Sequence, residues 1–212
     1  MKKTPFLFWT ILVLAAAQAA DTPKVRPPTW AQPVLLTTLD NLYRVSDDLF
    51  RSEQPGVADI ASLKALGVRT VLSLRHYHSD SDEFERAGIR AVHYRMDAGA
   101  VSEKDLIAVL RLIRDSPKPV LLHCWHGSDR SGFIVAGYRM VMMNWSAEQA
   151  IEEMRLGGFG FHESFYQNII TTLAKIDVPA VRKAVLSPPP DQPPPATPNA
   201  ATPAEGTATR QP

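Results

Sequence analysis

The stretch His123-Cys124-Trp125-His126-Gly127-Ser128-Asp129-Arg130-Ser131-Gly132 holds the single cysteine of a 212-residue chain. It follows the apolar run Lys118-Pro119-Val120-Leu121-Leu122 and leads into Ser131 to Met143, which is apolar almost all round. The cysteine therefore falls between a buried strand and a helix packed inside the domain. α/β sheets bind ligands at that junction, and the free N–H groups of a helix N-terminus attract anions. The same field favours a thiolate, so a cysteine placed there near an arginine or protonated histidine becomes nucleophilic at neutral pH. Gly127 permits a tight turn that aims backbone N–H groups inward. Arg130, six residues after Cys124, can return across the loop and grip two oxygens of an oxyanion with its planar fork. Sulfur and guanidinium then face one tetrahedral anion, an arrangement suited to phosphoryl transfer to sulfur.

The elements around this loop are legible from periodicity and caps. Ile60, Leu63 and Leu66 share one face of a helix stopped at Gly67. Val68 to Leu74 reads as a strand. A second strand alternates Val92, Tyr94 and Met96 against His93 and Arg95 and ends at Asp97. Ser102 caps a helix with Leu106, Leu110 and Ile113 at helical spacing, broken by Asp115-Ser116-Pro117-Lys118-Pro119. Ser146 and Gln149 form a capping box for a helix that stops at Gly157 and Gly158. Strands alternating with helices predict one α/β domain, its central sheet mostly parallel and flanked by helices.

The ten residues from His123 resemble the signature of the cysteine-dependent protein phosphatases: His-Cys, five residues, Arg, Ser or Thr, then Gly. Asn41 to Gly56, "NLYRVSDDLFRSEQPG", resembles the opening of the compact dual-specificity phosphatases, in particular a bacterial exported branch, and "GVRTVLSLR" resembles their next strand. The similarity covers most of Asn41 to Ile176. It implies a phosphocysteine mechanism without metal or other cofactor. Cys124 would attack phosphorus, Arg130 and the loop N–H groups would stabilise the charged oxygens, and water would hydrolyse the intermediate. By the same resemblance Ser131 matches a hydroxyl that assists departure of the thiolate, and His123 matches a residue that orders the loop. The family's general acid is an aspartate on a loop after an upstream strand, and Asp97 stands at that place. Glu103 and Asp105, further along, read as partners of the following helix dipole.

The remaining loop residues, Trp125, His126, Gly127, Ser128, Asp129 and Ser131, are substrate-binding candidates. Trp125 and His126 either shape the loop or cover its outer face. Asp129, which resembles a residue in the loop of some phosphoinositide phosphatases, either positions water or orients Arg130. The segment Arg155 to Phe165 either walls the pocket or connects two helices with its phenylalanines in the core.

Residues 1–19 place two lysines before an apolar run too short for an ordinary membrane span, with Ala17 and Ala19 at the recognised positions of a cleavage site. This predicts a signal peptide, a mature chain from near Ala20, and a periplasmic or secreted protein; contact with a membrane is expected only if the leader stays uncleaved. Export usually brings disulfides, yet one cysteine cannot pair within its own chain, so Cys124 is either an inert buried thiol or a working one. A formal net charge of +1 argues against a nucleic-acid partner. Residues 20–38 read as an N-terminal extension and 39–186 as the phosphatase-like domain. Residues 187–212 are dense in proline and almost empty of large apolar side chains, hence a disordered tail.

The expected function is hydrolysis of phosphate monoesters, with phosphotyrosine first and phosphoserine and phosphothreonine after it. The alternative is a phosphoinositide or other small phosphate ester. The absence of lysine between Cys124 and Arg130 favours the protein substrate. A binding module without turnover is a third reading, and the presence of both cysteine and arginine speaks against it.

Overall fold

The computed structural model describes residues 25–35, 38–77 and 81–188. The expected signal peptide and nearly all of the proline-rich tail lie outside the described residues.

Three short strands come first: β1 (Gln32–Pro33), β2 (Tyr43–Arg44) and β3 (Leu49–Ser52). A 3-10 turn and α1 (Ile60–Ala65) lead to β4 (Thr70–Ser73), α2 (Ser81–Arg86) and β5 (Arg90–His93). Next come α3 (Glu103–Asp115), β6 (Val120–His123), α4 (Asp129–Met142) and α5 (Ala147–Leu156). Two further helices, α6 (Gln167–Leu173) and α7 (Val178–Leu186), close the described chain.

The six strands form one sheet in the order β1-β2-β3-β6-β4-β5. The pairs β3–β6, β6–β4 and β4–β5 are parallel, while β1–β2 and β2–β3 are antiparallel. Strand β6 lies between β3 and β4 and all four of its residues are buried, which is why it reads as an unbroken apolar run.

Alternation along the strands divides the core into two layers. Leu49, Leu72, Val120 and Leu122 pack with residues of α3, α4, α5, α6 and α7. Phe50, Val71 and Leu121 face the other way, onto Leu63 of α1 and Phe84 of α2. Eleven of the fourteen residues of α4 are buried, so it is the central helix of the larger layer. A Cβ on Gly137 would lie 2.3 Å from Leu106 Cδ1, so a side chain there would have to displace Leu106 of α3.

The caps follow the sequence. Ser102 accepts from the Asp105 N–H, and the Asp105 carboxylate accepts from the Ser102 N–H; Ser146 and Gln149 repeat the arrangement on α5. The strand expected to run to Asp97 is shorter. Its neighbour β4 ends at Ser73, and after the Tyr94 N–H donates to Ser73 O at 2.9 Å no partner strand continues the ladder. Tyr94 and Met96 still turn inward, so the alternation outlasts the pairing. The described part of the expected extension lies against the domain. Ala31 is in the core, and its N–H donates to Glu153 Oε1 at 2.5 Å.

Candidate active site

Cys124 follows β6 directly and is 2% exposed. From it the chain makes a tight loop into the first turn of α4, whose leading N–H groups have no intrahelical acceptor. Gly127 has φ +69°, and a Cβ there would sit 2.4 Å from Ser52 C and O and 2.6 Å from Glu53 N. The loop thus rests on the backbone that leaves β3, with only hydrogen between them.

Four successive loop carbonyls are held, three by the scaffold and the fourth by the first turn of α4. The Gln54 N–H donates to Trp125 O at 3.0 Å, and Asn41 Nδ2 donates to His126 O at 2.7 Å. Arg51 Nη2 donates to Gly127 O at 2.6 Å, and Gly132 N–H to Ser128 O at 2.9 Å. In a trans peptide C=O and N–H point opposite ways. Tying these carbonyls outward therefore turns the N–H groups of His126, Gly127, Ser128 and Asp129 toward the interior of the loop, where an oxyanion can accept from them.

Polar groups with unused capacity lie in the same region. Arg130 donates from Nη1 to Leu74 O at 3.3 Å, while its buried Nε has no hydrogen-bond partner among the described residues. Ser131 is fully buried, and its hydroxyl likewise has none. His123 Nδ1 lies 3.1 Å from Cys124 O. A carbonyl only accepts, so Nδ1 carries the proton and fixes the loop at the nucleophile's own residue.

Beneath the loop lies a residue not singled out in the sequence. Arg51, fully buried on β3, stacks its guanidinium 3.8 Å from the Phe159 ring centroid and bonds the loop at Gly127. Burial pulls its pKa down to about 10, opposed by Glu153 and then Cys124, so it stays charged at neutral pH. Its strand neighbours Leu49 and Phe50 are also buried, and a charge inside such a run is the signal that could have found it.

Asp97 and Asp105 differ in their surroundings. Asp105 has both oxygens engaged, Oδ1 by Tyr94 OH at 2.8 Å and Oδ2 by Ser102 N and Oγ at 2.9 and 2.6 Å. Asp97 is exposed, caps a 3-10 turn through Oδ1 and the Gly99 N–H at 2.9 Å, and is followed by Ala98, whose carbonyl is held by Asn168 Nδ2 at 2.9 Å.

Asp129 has a further partner that the sequence does not indicate. Its carboxylate accepts from His162 N at 2.9 Å and lies 2.9 Å from His162 Nδ1, because the segment between α5 and α6 folds across the loop. That segment joins the two alternatives drawn for it. Phe159 fills the core, its carbonyl accepts from Ser128 Oγ at 2.8 Å, and His162 stands 5.8 Å from the His126 ring. Trp125 is 56% exposed, with Arg75 Cζ 4.2 Å from its ring centroid. The arrangement therefore combines a thiol, a guanidinium and inward N–H groups under a rim of planar side chains.

The dual specificity protein phosphatase TpbA of Pseudomonas aeruginosa is 37% identical over 174 residues, covering 76% of this chain and 77% of that protein. A crystal structure of a Cys-to-Ser form of TpbA in complex with pTyr matches with a TM-score of 0.67 and 34% identity, over 76% of this chain and 98% of that one. Inositol diphosphatase DSP2 of Oryza sativa subsp. japonica is 28% identical over 138 residues, 61% of this chain and 67% of its own. The family model described as "Tyrosine phosphatase family" matches residues 36–181, and on that match and the identity to TpbA the chain belongs to the tyrosine phosphatase family, whose members are phosphatases.

Proposed function

We propose that this chain is an exported phosphatase that hydrolyses phosphotyrosine in proteins through a phosphocysteine intermediate. Cys124 Sγ, as thiolate, attacks phosphorus as the bond to the tyrosyl oxygen breaks. Asp97 gives its proton to the departing phenolate oxygen. The transferred phosphoryl group is held by Arg130 and the N–H groups of His126 to Asp129, and the Ser131 hydroxyl donates to the sulfur when it leaves. Water then attacks phosphorus, Asp97 takes its proton, and inorganic phosphate departs. The observation that carries this reading is the loop itself: four carbonyls tied outward beside a buried thiol and the unused Arg130 Nε and Ser131 Oγ. The occupied oxygens of Asp105 support Asp97 as the acid.

Two features support an aryl ester. The Trp125 indole is exposed and braced by Arg75, so a tyrosyl ring can lie against it, and no lysine stands between Cys124 and Arg130. The likeness to an inositol diphosphatase supports a second reading, an inositol phosphate substrate. The amino-terminal residues support export, which detection of the processed chain in the periplasm or medium would test.

The test of the activity is turnover of a phosphotyrosine peptide, an inositol pyrophosphate and a phosphoinositide, each with chelator present and each by the parent and Cys124→Ser. Fastest release from the peptide, abolished in the variant, is expected. Preference for either inositol compound by tenfold or more overturns the substrate, and full activity in Cys124→Ser overturns the mechanism.

A further inference from the structure

The charges under the loop do not balance. Two guanidinium groups, Arg51 and Arg139, are buried around one buried carboxylate, Glu153. Arg139 takes that carboxylate with both arms, Nε to Oε2 and Nη2 to Oε1, each at 2.8 Å, and Ala31 N–H adds a third bond. The hydrogen bonds of Arg51 go instead to neutral carbonyls, Gly127 O at 2.6 Å and Ser128 O at 3.4 Å, and its Nε has no partner among the described residues. The groups whose charge acts on Arg51 are Glu153 from α5, Cys124 from the loop, Tyr43 from β2 and Arg139 from α4. Arg26, 5.2 Å from the centroid of the Phe159 ring, adds a further cation. Among the described residues Arg51 is thus hydrogen-bonded to no carboxylate, and it sits on the strand that pairs with β6 just before the nucleophile, Arg51 opposite Leu122 and Ser52 opposite His123.

We propose that Arg51 is a positioning residue of the phosphatase reaction: held by Gly127 O and the face of Phe159, its guanidinium is a fixed buried cation that stabilises the Cys124 thiolate and fixes the shape of the phosphate loop. The assignment rests on Cys124 being the nucleophile. Burial is what makes the charge effective, because a cation in a low-dielectric site acts on a neighbouring anion with little screening. A guanidinium suits the place better than an ammonium. It is more weakly hydrated, lies flat on an aromatic ring, and offers parallel donors to adjacent carbonyls.

The experiment exploits the lone cysteine: alkylation of the purified protein by iodoacetamide reports Cys124 alone. Its rate against pH gives the inflection for thiolate formation in the parent, Arg51→Gln and Arg51→Lys, with near-ultraviolet circular dichroism checking that each is folded. Loss of an opposite charge at close range should raise the inflection in Arg51→Gln by about 1 unit or more. Arg51→Lys should stay within about half a unit of the parent, since the charge remains. With phosphotyrosine peptide, both variants should show reduced kcat, because neither reproduces the bond and the stacking together.

An inflection in folded Arg51→Gln equal to the parent's overturns the proposal. If that variant does not fold, a full-unit rise in Arg51→Lys overturns it instead. Alkylation needs no turnover, so failure of the phosphatase reading would show separately, as a parent that alkylates normally and releases no phosphate.

Discussion

Gly127→Ala tests whether the loop's shape or only its side chains matter. The native backbone at this position has φ +69°, a conformation that costs an L-residue about 1–2 kcal/mol. A Cβ would also lie 2.4 Å from Ser52 C and O, atoms of a strand end that cannot swing aside. The loop must lift from β3, and in lifting it stretches the bond from Arg51 Nη2 to Gly127 O, now 2.6 Å. A hydrogen bond to a charged donor contributes about 1.5–3 kcal/mol. The two effects together come to about 3–5 kcal/mol.

That energy can appear in two ways. If the lifted loop finds no new partners, stability falls by the full amount, and for a domain of this size the unfolding midpoint drops by about 6–20 °C. If the loop relaxes, stability is largely preserved while the N–H groups of His126 to Asp129 no longer converge, and kcat/KM falls by about 100-fold or more, as when an oxyanion donor is removed. Thermal unfolding and hydrolysis of para-nitrophenyl phosphate, measured on the same preparation, separate the two. A variant with the parent's midpoint and the parent's kcat/KM would refute the reasoning, since the contact at 2.4 Å leaves no third route.

Asp97→Asn should lower kcat by about 100-fold or more on a phosphotyrosine peptide. Asp105→Asn, by contrast, should stay active and lose about 1 kcal/mol of stability through the weakened cap, as read by urea unfolding. Glu153→Gln should destabilise by about 3–5 kcal/mol, because it leaves two buried guanidiniums without a carboxylate; parent-like urea unfolding would contradict the charge count given above. Tyr94, whose hydroxyl is pushed up to about 12 by burial and then by its bond to Asp105, holds its proton better folded than unfolded. Its contribution is therefore fully present below about 10, the unfolded value, and lost as pH rises toward about 12, so Tyr94→Phe should flatten that alkaline loss in urea titrations at successive pH values.

What the sequence discloses follows from how local each signal is. The helices α1, α3, α4 and α5 and the strands β4 and β6 carry their evidence within a dozen residues, as caps, glycine stops or an apolar period. The pairing of β1, β2 and β3 has no such signal: the strands are two to four residues long, and all three join in two antiparallel pairs through loops whose ends meet only in the fold. β5 is shorter than its alternation predicts because alternation records which side chains turn inward, whereas a strand ends where its neighbour does. Cys124, Gly127 and Arg130 were legible because they are contiguous. Arg51, Asn41 and His162 were not, since each reaches the loop from a distant segment.

Those distant residues explain why a cysteine and an arginine six positions apart do not suffice for the chemistry. The spacing brings the reactive groups within reach of one another, but the loop between β6 and α4 has many conformations, and most do not gather its N–H groups. Here Asn41 and Gln54 hold two carbonyls from just before β2 and just after β3, Arg51 holds a third from below, and Ser128 is tied to Phe159 beyond α5. The ties come from three separate segments, around Asn41, at Arg51 to Gln54 and at Phe159, so no single one can relax without the others resisting. The reactive groups are written in one stretch of sequence, while the geometry that makes them a site is distributed over Asn41 to His162. A grafted loop carrying only residues 123–132 should accordingly bind phosphate weakly, even with Cys124 and Arg130 in place.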